Sequence, residues 1–591
     1  MNYQEQNMDS RIPRPEHPRP QLMREHWLSL NGVWSFEFAR TPHRYGTAVE
    51  EFVAPDRGAL EQEILVPFAP ESPLSGIGDT EFHERVLYHR SVAVPAAWKD
   101  QRILLHFGAV DFHTDVYVNG SYAGSHTGGS APFTLDITAW AQPGETVEVL
   151  VAVQDYIHLS NQASGKQSKR GKSYGCLYTR TTGIWQTVWL EAVSPGGIED
   201  LVILTDPDQG SVTVIPSYVA GAAEAELTVT VFERVEETGE GEPLTSTRAI
   251  CRNGVPVTLT IANARLWWPG DPWLYGLELS VTENGREIDR VQSYTGIRSV
   301  SCRGGALQIN GESVYQRLVL DQGFYPDGIW TAPDDQSLRR DIEISMAAGF
   351  NGARLHQKVF ERRFYYWADR LGYLTWAEWP SWGLDYNNHE ATRAFVTELA
   401  ETVSALRNHP SIVAWTPYNE TWDVENRRAH RINHTEAYEM CRRLDPTRPV
   451  NSSSGGVHWK TDLYTVHDYS SDGASLTSRL GASDDPFRPV KRHAPRYEGQ
   501  PYIVDEFGGV RWGSGGWGYG DGPATEEEFF ERIADLMNAL HDHPLVAGWC
   551  YTQLTDVEQE QNGVYTYSRE KKFATERWAE LFSRVPPGFD R

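Results

Sequence analysis

The run IVAWTPYNE ends on Asn419 and Glu420, and the run PYIVDEFGG carries Asp505 and Glu506. Each glutamate follows a short apolar stretch of strand length, the place where a parallel barrel exposes its working groups. Two carboxyl groups facing each other can break a glycosidic bond, one protonating the leaving oxygen while the other attacks or steadies the anomeric carbon. A separation of about 5–5.5 Å would mean double displacement with retention. Environment sorts the roles: an acid needs a raised pKa, whereas a nucleophile must stay ionised beside cations or hydrogen-bond donors. Arg354, near the end of NGARLH, is the cation available to Glu506.

Other strand ends are as polar. NGARLH also ends in His356, LTWAEW carries Glu378, DLYTVHDY carries His467 and Tyr469, and VAGWCYTQL carries Trp549 and Gln553. Asn419 could donate its side-chain amide to a sugar 2-hydroxyl, a bond that strengthens in the transition state, or could simply bond its own loop. Glu378 could hold a hydroxyl or pair with Arg354. His356, His467 and Tyr469 could line the subsite that receives the sugar, and a satisfied core histidine is the plain alternative for either imidazole. Trp376, Trp379, Trp382, Trp415 and Trp422 stand beside polar residues and could stack on sugar rings or fill cores.

The elements that must position these groups can be read from the same text. Residues 27–195 alternate in short strands such as VWSFEF, RILLHFG and VEVLVAV, a β-sandwich pattern. Residues 196–300 repeat it at the size of an immunoglobulin-like sandwich. From 301 onward short apolar runs alternate with helical periods, QSLRRDIEISMAAG, FERRFYYWADRLG, TRAFVTELAETVSALRN, HTEAYEMCRRLD and EEEFFERIADLMNALHDH, which suits a (β/α)8 barrel. Three domains are therefore expected, 1–195, 196–300 and 301–591, and a chain of 591 residues is too long for one core.

Composition narrows the function classes. Hydrophobic residues at 40% and charged residues at 23% place the chain with ordinary globular proteins. A formal charge of -26 would repel phosphate backbones and anionic membranes, so neither nucleic acid nor membrane is expected as a partner. Five cysteines without a CxxC pair suit a reducing compartment. The opening MNYQEQNMDSRIPRPEHPRP has no apolar core for a secretory signal, which points to the cytoplasm. GKQSKRGKS at 165–173 looks like a phosphate-binding loop, but five residues separate Gly165 from Gly171 where the motif needs four, so it reads as a solvated loop. HExxH, zinc-ligand spacing and a GxSxG elbow are all missing from the sequence.

The words of the sequence resemble glycoside hydrolase family 2, which includes β-galactosidases, β-glucuronidases and β-mannosidases. LNGVWSF, VDFHTDVYVNGSYAGSHTGG and TGIWQTVWLE look like the family's N-terminal sugar-binding jelly roll. LWWPGDPWLYGLEL and TGIRSV resemble the end of its immunoglobulin-like domain. GFNGARLHQ, ADRLGYLTWAEWP, RNHPSIVAWTPYNE, LDPTRPVNSSS and YIVDEFGG look like its barrel words. The resemblance implies that Glu420 is the acid/base and Glu506 the nucleophile of a retaining exo-glycosidase. Its substrate would be an oligosaccharide or other glycoside. Carboxylates and water suffice for that chemistry, so no organic cofactor is expected, and nothing in the sequence singles out metal ligands. Self-association into a homo-oligomer is left open.

Two departures bear on the sugar. The family's GxNxHE at the first barrel strand is replaced by LVLDQGFYPDG, which puts Asp321 and Gln322 there and makes Asp321 a candidate sugar contact. The Asn-x-Lys with which β-glucuronidases grip a carboxylate falls in VEQEQNGVYTYSR, which has no lysine, and Glu558 and Glu560 there would repel a uronate. A neutral sugar in the manner of a β-galactosidase is the expectation. An α-L-arabinofuranoside or β-galactofuranoside is the alternative substrate, a β-glucuronide is disfavoured, and a non-catalytic carbohydrate-binding protein is the alternative of another class.

Overall fold

The structure is a computed structural model that describes residues 12–39, 60–158, 162–218, 225–422, 424–513 and 515–589. The first eleven residues of the polar N-terminal stretch lie outside the described residues.

The N-terminal unit is a sandwich of a six-stranded and a four-stranded sheet. Its strand Thr146–Gln154 shows why: TVEVLVAVQ alternates, and Val147, Val149, Val151 and Val153 all turn into the core with Trp34, Phe36, Tyr88 and Leu105. Fully burying one such valine contributes about 1.5–3 kcal/mol, an upper figure because the unfolded chain is already partly compact. The second unit places a three-stranded sheet (Ile198–Asp206, Ser211–Tyr218, Val257–Thr260) over a four-stranded one (Pro243–Ile250, Glu226–Phe232, Tyr275–Glu283, Arg286–Thr295), the seven-strand immunoglobulin-like plan.

The barrel then runs β1 Gln316–Asp321, α1 Asp335–Ala347, β2 Gly352–Leu355, α2 Arg362–Leu371, β3 Leu374–Glu378, α3 His389–Leu406 and β4 Ile412–Thr416. It continues α4 Arg427–Leu444, β5 Tyr464–Asp468, α5 Gly473–Leu480, β6 Tyr502–Gly508, α6 Glu526–Asp542, β7 Val546–Thr552 and α7 Thr575–Phe582. All seven strands are parallel, in the order β4-β3-β2-β1-β7-β6-β5. The gap between β4 and β5 is filled by residues 449–454. Their backbone bonds to β4 and its extension, Asn451 N–H donating to Trp415 O (2.9 Å) and Ser454 N–H to Tyr418 O (2.8 Å). Towards β5 the links run through side chains, with Thr465 Oγ1 donating to Asn451 Oδ1 (3.2 Å). This eighth stave carries Asn-Ser-Ser-Ser where a strand would carry an apolar run, which is why no strand is legible there.

Strand alternation sorts the side chains. Leu318, Leu320, Leu374, Trp376, Ile503 and Cys550 fill the barrel interior, closed below by Trp267 and Leu307. Ala353, Leu355, Val504, Trp549 and Tyr551 face the helices. The α6 segment answers with Phe529, Ile533, Leu536, Met537 and Leu540, spaced for one helical face. Helix starts follow side-chain caps, as where the Asp334 carboxylate accepts from Ser337 N–H (2.7 Å) at α1. Among the described residues no helix is long and apolar enough to cross a membrane.

Candidate active site

β4 runs on into Tyr418–Asn419–Glu420. Glu420 takes a left-handed backbone (φ +51°), held by its N–H donating to Ser454 O (2.8 Å). That turn aims a carboxylate back over the barrel mouth from a position where extended backbone would carry it past. Across the mouth the β5–β6 pairing slips by one residue, Val466 opposing Val504 while His467 opposes Glu506. Asp505 is the extra residue of a bulge, and the slip lets both consecutive acids turn inward. An oxygen of Glu420, an oxygen of Glu506 and a ring nitrogen of His467 all lie within 4.8 Å of one another.

Glu506 is surrounded by donors. Arg354 Nη2 donates to its Oε1 (2.8 Å), Tyr469 O–H donates to its Oε2 (2.5 Å), and His467 Nδ1 lies 3.3 Å from Oε2. Burial opposes ionisation, but the positive charges of His467 and Arg354 outweigh it and hold the carboxyl down to about 2. His467 Nδ1 also donates to Glu420 Oε1 (2.7 Å), while its Nε2 faces Ser454 Oγ (3.0 Å) and Asp505 Oδ1 (3.3 Å). Burial disfavours its charge, yet Glu506 and Asp505 push the imidazole up to about 10, so it is a cation between the two glutamates. The two acids differ in access: the Glu420 side chain is 14% exposed and that of Glu506 5%.

Arg354 is fully buried and ties four strands together. Its Nε donates to Glu378 Oε2 (2.8 Å), its Nη1 to Asp505 O (2.7 Å), and its Nη2 to Asn419 Oδ1 (2.8 Å) as well as to Glu506. Glu378 is thus the partner of Arg354. Its other oxygen accepts Gln357 N–H (3.0 Å), and burial pushes its carboxyl up even against that guanidinium. His356 Nδ1 lies 2.6 Å from Arg354 Nη2 and 3.1 Å from Glu378 Oε1, and burial together with Arg354 pulls its pKa down. Asn419 spends its carbonyl on Arg354, and its buried amide Nδ2 has no partner among the described residues, a donor free for a ligand.

Three sequence-predicted residues take no part in the Arg354–His467 hydrogen-bond network. Trp549 is not at the rim: it faces the helices, with Phe582 at 5.4 Å and Phe507 at 5.8 Å between ring centroids, because alternation along β7 sends its neighbour Cys550 inward instead. The Asp321 carboxylate accepts Gly323 N–H (2.9 Å). Burial and then Asp341 push it up to about 6, against the nearby charges of Arg569 and Lys358. Gln553 joins a buried amide chain, accepting from Gln322 Nε2 (2.6 Å) and donating to Asn562 Oδ1 (2.7 Å). Of the five tryptophans, Trp376, Trp379 and Trp415 are core, whereas Trp382 is half-buried and Trp422 is 47% exposed beside Glu420.

Other residues were not foreseen. Ser454 donates to Asp505 Oδ2 (2.6 Å) and fixes the His467 ring. Tyr519 stacks on Tyr469 at 3.4 Å. The largest correction concerns residues 165–168, which are buried and not a solvated loop. Ser164 N–H donates to Trp382 O (2.7 Å) and Gly165 N–H to the same carbonyl (3.0 Å), docking the N-terminal unit on the barrel. Gly165 has φ +59°, and a Cβ there would collide with Gln357 O and Pro380, so the approach requires glycine. A contact across domains leaves no periodic signature in the sequence.

The comparisons with known proteins agree with this architecture. Residues 77–190 match the family model described as "Glycosyl hydrolases family 2, sugar binding domain", 198–298 match "Glycosyl hydrolases family 2", and 330–518 match "Glycosyl hydrolases family 2, TIM barrel domain". The chain is 26% identical to a β-glucuronidase of Paenibacillus borealis, over 95% of this chain and 98% of that one. It is 25% identical to a β-galactosidase of Thermoanaerobacter pseudethanolicus, over 78% of this chain but 59% of that longer protein. Among solved structures it resembles the Ruminococcus gnavus β-glucuronidase, with a TM-score of 0.76 at 20% identity over 95% of this chain and 98% of that one. With all three of its domain types matched in order along the sequence, the chain belongs to glycoside hydrolase family 2, and it is a glycoside hydrolase.

Proposed function

We propose that the protein releases a neutral sugar from the non-reducing end of a glycoside with retention of configuration, with Glu506 as nucleophile and Glu420 as acid/base. In the first step Glu506 attacks the anomeric carbon while Glu420 gives its proton to the leaving oxygen. In the second Glu420 takes a proton from water, which attacks the glycosyl ester and frees Glu506. The observation that carries this reading is the pair itself: carboxylate oxygens within 4.8 Å suit the about 5–5.5 Å carboxyl separation of double displacement better than the wider gap of inverting enzymes. The donors sort the roles, since Arg354 and Tyr469 bond Glu506, His467 reaches both acids, and Glu420 is the more exposed. The free amide of Asn419 is placed to hold a 2-hydroxyl.

A β-galactoside-like substrate is supported by the relatives named β-galactosidase and by Glu558 and Glu560 in a stretch without lysine. A furanoside, α-L-arabinofuranoside or β-galactofuranoside, fits the same acid pair. A β-glucuronide is the reading that the names of other relatives favour. A panel of nitrophenyl pyranosides, furanosides and β-glucuronide separates these, and proton NMR of the first-formed product reads the anomer. Glu506→Gln is expected to abolish turnover. Glu420→Gln should slow poor leaving groups far more than activated ones. Near wild-type rates in both variants, or an inverted first product, would refute the assignment.

A further inference from the structure

Lys166 enters the barrel mouth from the N-terminal sandwich. Gly165 seats the loop on Trp382 O, and Gln167 anchors it from behind, its Nε2 donating to Asp111 Oδ2 (2.9 Å) and its Oε1 accepting Thr181 N–H (2.7 Å). Lys166 O accepts Tyr178 N–H (2.8 Å), and Tyr178 O–H in turn donates to Glu560, so the loop and the 553–562 turn form one wall. The lysine is 8% exposed and its ammonium lies 3.9 Å from the centroid of the Trp382 ring. Among the described residues that ammonium has neither a hydrogen-bond acceptor nor an ion-pair partner. An ammonium that reaches the mouth without a protein acceptor has its donors available to a ligand there. Its surroundings are those of the proposed chemistry: Trp382 Nε1–H donates to Asn419 O (3.3 Å), one residue from Glu420. Burial disfavours the lysine's charge, but Cys176, Glu560, Glu420 and Glu506 outweigh that and keep it protonated. Beside Tyr178 the buried Gln322 Oε1 is an acceptor without a donor among the described residues.

We propose that Lys166 is a specificity-determining residue that donates to a hydroxyl oxygen of the terminal sugar, so that the N-terminal domain supplies part of the sugar-binding site. This rests on the glycosidase reading above. A hydroxyl is the ligand favoured over a carboxylate, because Glu560, Glu420 and Glu506 lie close to the ammonium and would oppose a further anion.

The test compares wild type with Lys166→Gln and with Lys166→Met, which keeps the stem against Trp382. The substrates are the nitrophenyl glycoside that wild type cleaves fastest and its monodeoxy analogues at each non-anomeric position. Thermal melting confirms that both variants fold. The expected result is a loss of kcat/KM of about 10- to 100-fold on the parent glycoside, the range of one hydrogen bond to a charged group. For one deoxy analogue wild type is already slow and neither variant loses more, a coupling that a merely structural lysine would not produce. Unchanged kcat/KM on the parent, or the same loss on every analogue, would overturn the assignment while leaving the glycosidase reading intact. A loss confined to the β-glucuronide would overturn the hydroxyl in favour of a carboxylate. Absence of wild-type turnover across the panel would remove both readings.

Discussion

Replacing His467 by Asn should give the protein an acidic limb that wild type lacks. In the structure the imidazolium lies 3.3 Å from Glu506 Oε2 and is, with Arg354, a leading cause holding that carboxyl down to about 2. Two unit charges at that distance interact by about 5 kcal/mol at an effective dielectric of about 20. At 1.36 kcal/mol per unit this is about 3–4 pKa units as an upper bound. Arg354 and the Tyr469 hydroxyl remain on Glu506 in the variant, so a rise of roughly 1–3 units is expected, to between about 3 and 5. A nucleophile must be ionised to attack, so kcat/KM in the variant should fall as pH drops through that window while wild type stays flat to about pH 3. The assay is kcat/KM against pH on an aryl glycoside with an activated leaving group, whose cleavage needs little help from Glu420. Circular dichroism at each pH separates unfolding from titration. Superimposable profiles for the two proteins would refute the claim that His467 sets the charge state of Glu506.

Three further outcomes follow from the same geometry. Arg354→Met removes the guanidinium between Glu378 and Glu506 and leaves both carboxyls buried without it. Breaking a buried pair this way costs about 3–5 kcal/mol, readable as a lower denaturant midpoint of the barrel transition, and a change below 1 kcal/mol would contradict the bonding described. Tyr469→Phe deletes the donor at 2.5 Å from Glu506 Oε2 and should lower kcat about 10- to 100-fold with little change in KM, checked by steady-state kinetics. His467 has its folded pKa raised to about 10, so its contribution to stability is complete below about pH 6.5 and is lost as pH rises towards 10. Thermal melts of wild type should therefore fall across that alkaline range, and melts of His467→Asn should fall less.

Much of the site was legible because strand ends are a local signal. IVAWTPYNE and PYIVDEFGG announce their glutamates by an apolar run followed by polar residues, and Arg354, His467 and Tyr469 were found the same way. Trp549 was misplaced because a strand end shows which residues are near the rim but not which face they take, and Cys550 occupies the inward position. Asp321 is a candidate sugar contact only by analogy with a family motif, and one of its oxygens is occupied by Gly323 N–H. The 449–454 stave escaped because its polar residues bond through side chains and a partial ladder. Helix α4 begins at Arg427, ahead of the HTEAYEMCRRLD period, since Asn426 caps it by accepting from Ala429 N–H (3.2 Å). Helices α5 and α7, eight residues each, fall below the length at which helical periodicity is readable. Lys166 was hidden for a different reason, as its meaning depends on Trp382, some two hundred residues away in sequence.

The seat of Gly165 against Pro380 and the carbonyl of Trp382 makes the rim of the barrel mouth a joint product of two modules. A recombinant that married this barrel to another sandwich would keep its acids and its arginine yet inherit a foreign lip. Selectivity could then be traded wholesale between homologues by shuffling the front module, with the bond-breaking machinery passing through the exchange unaltered.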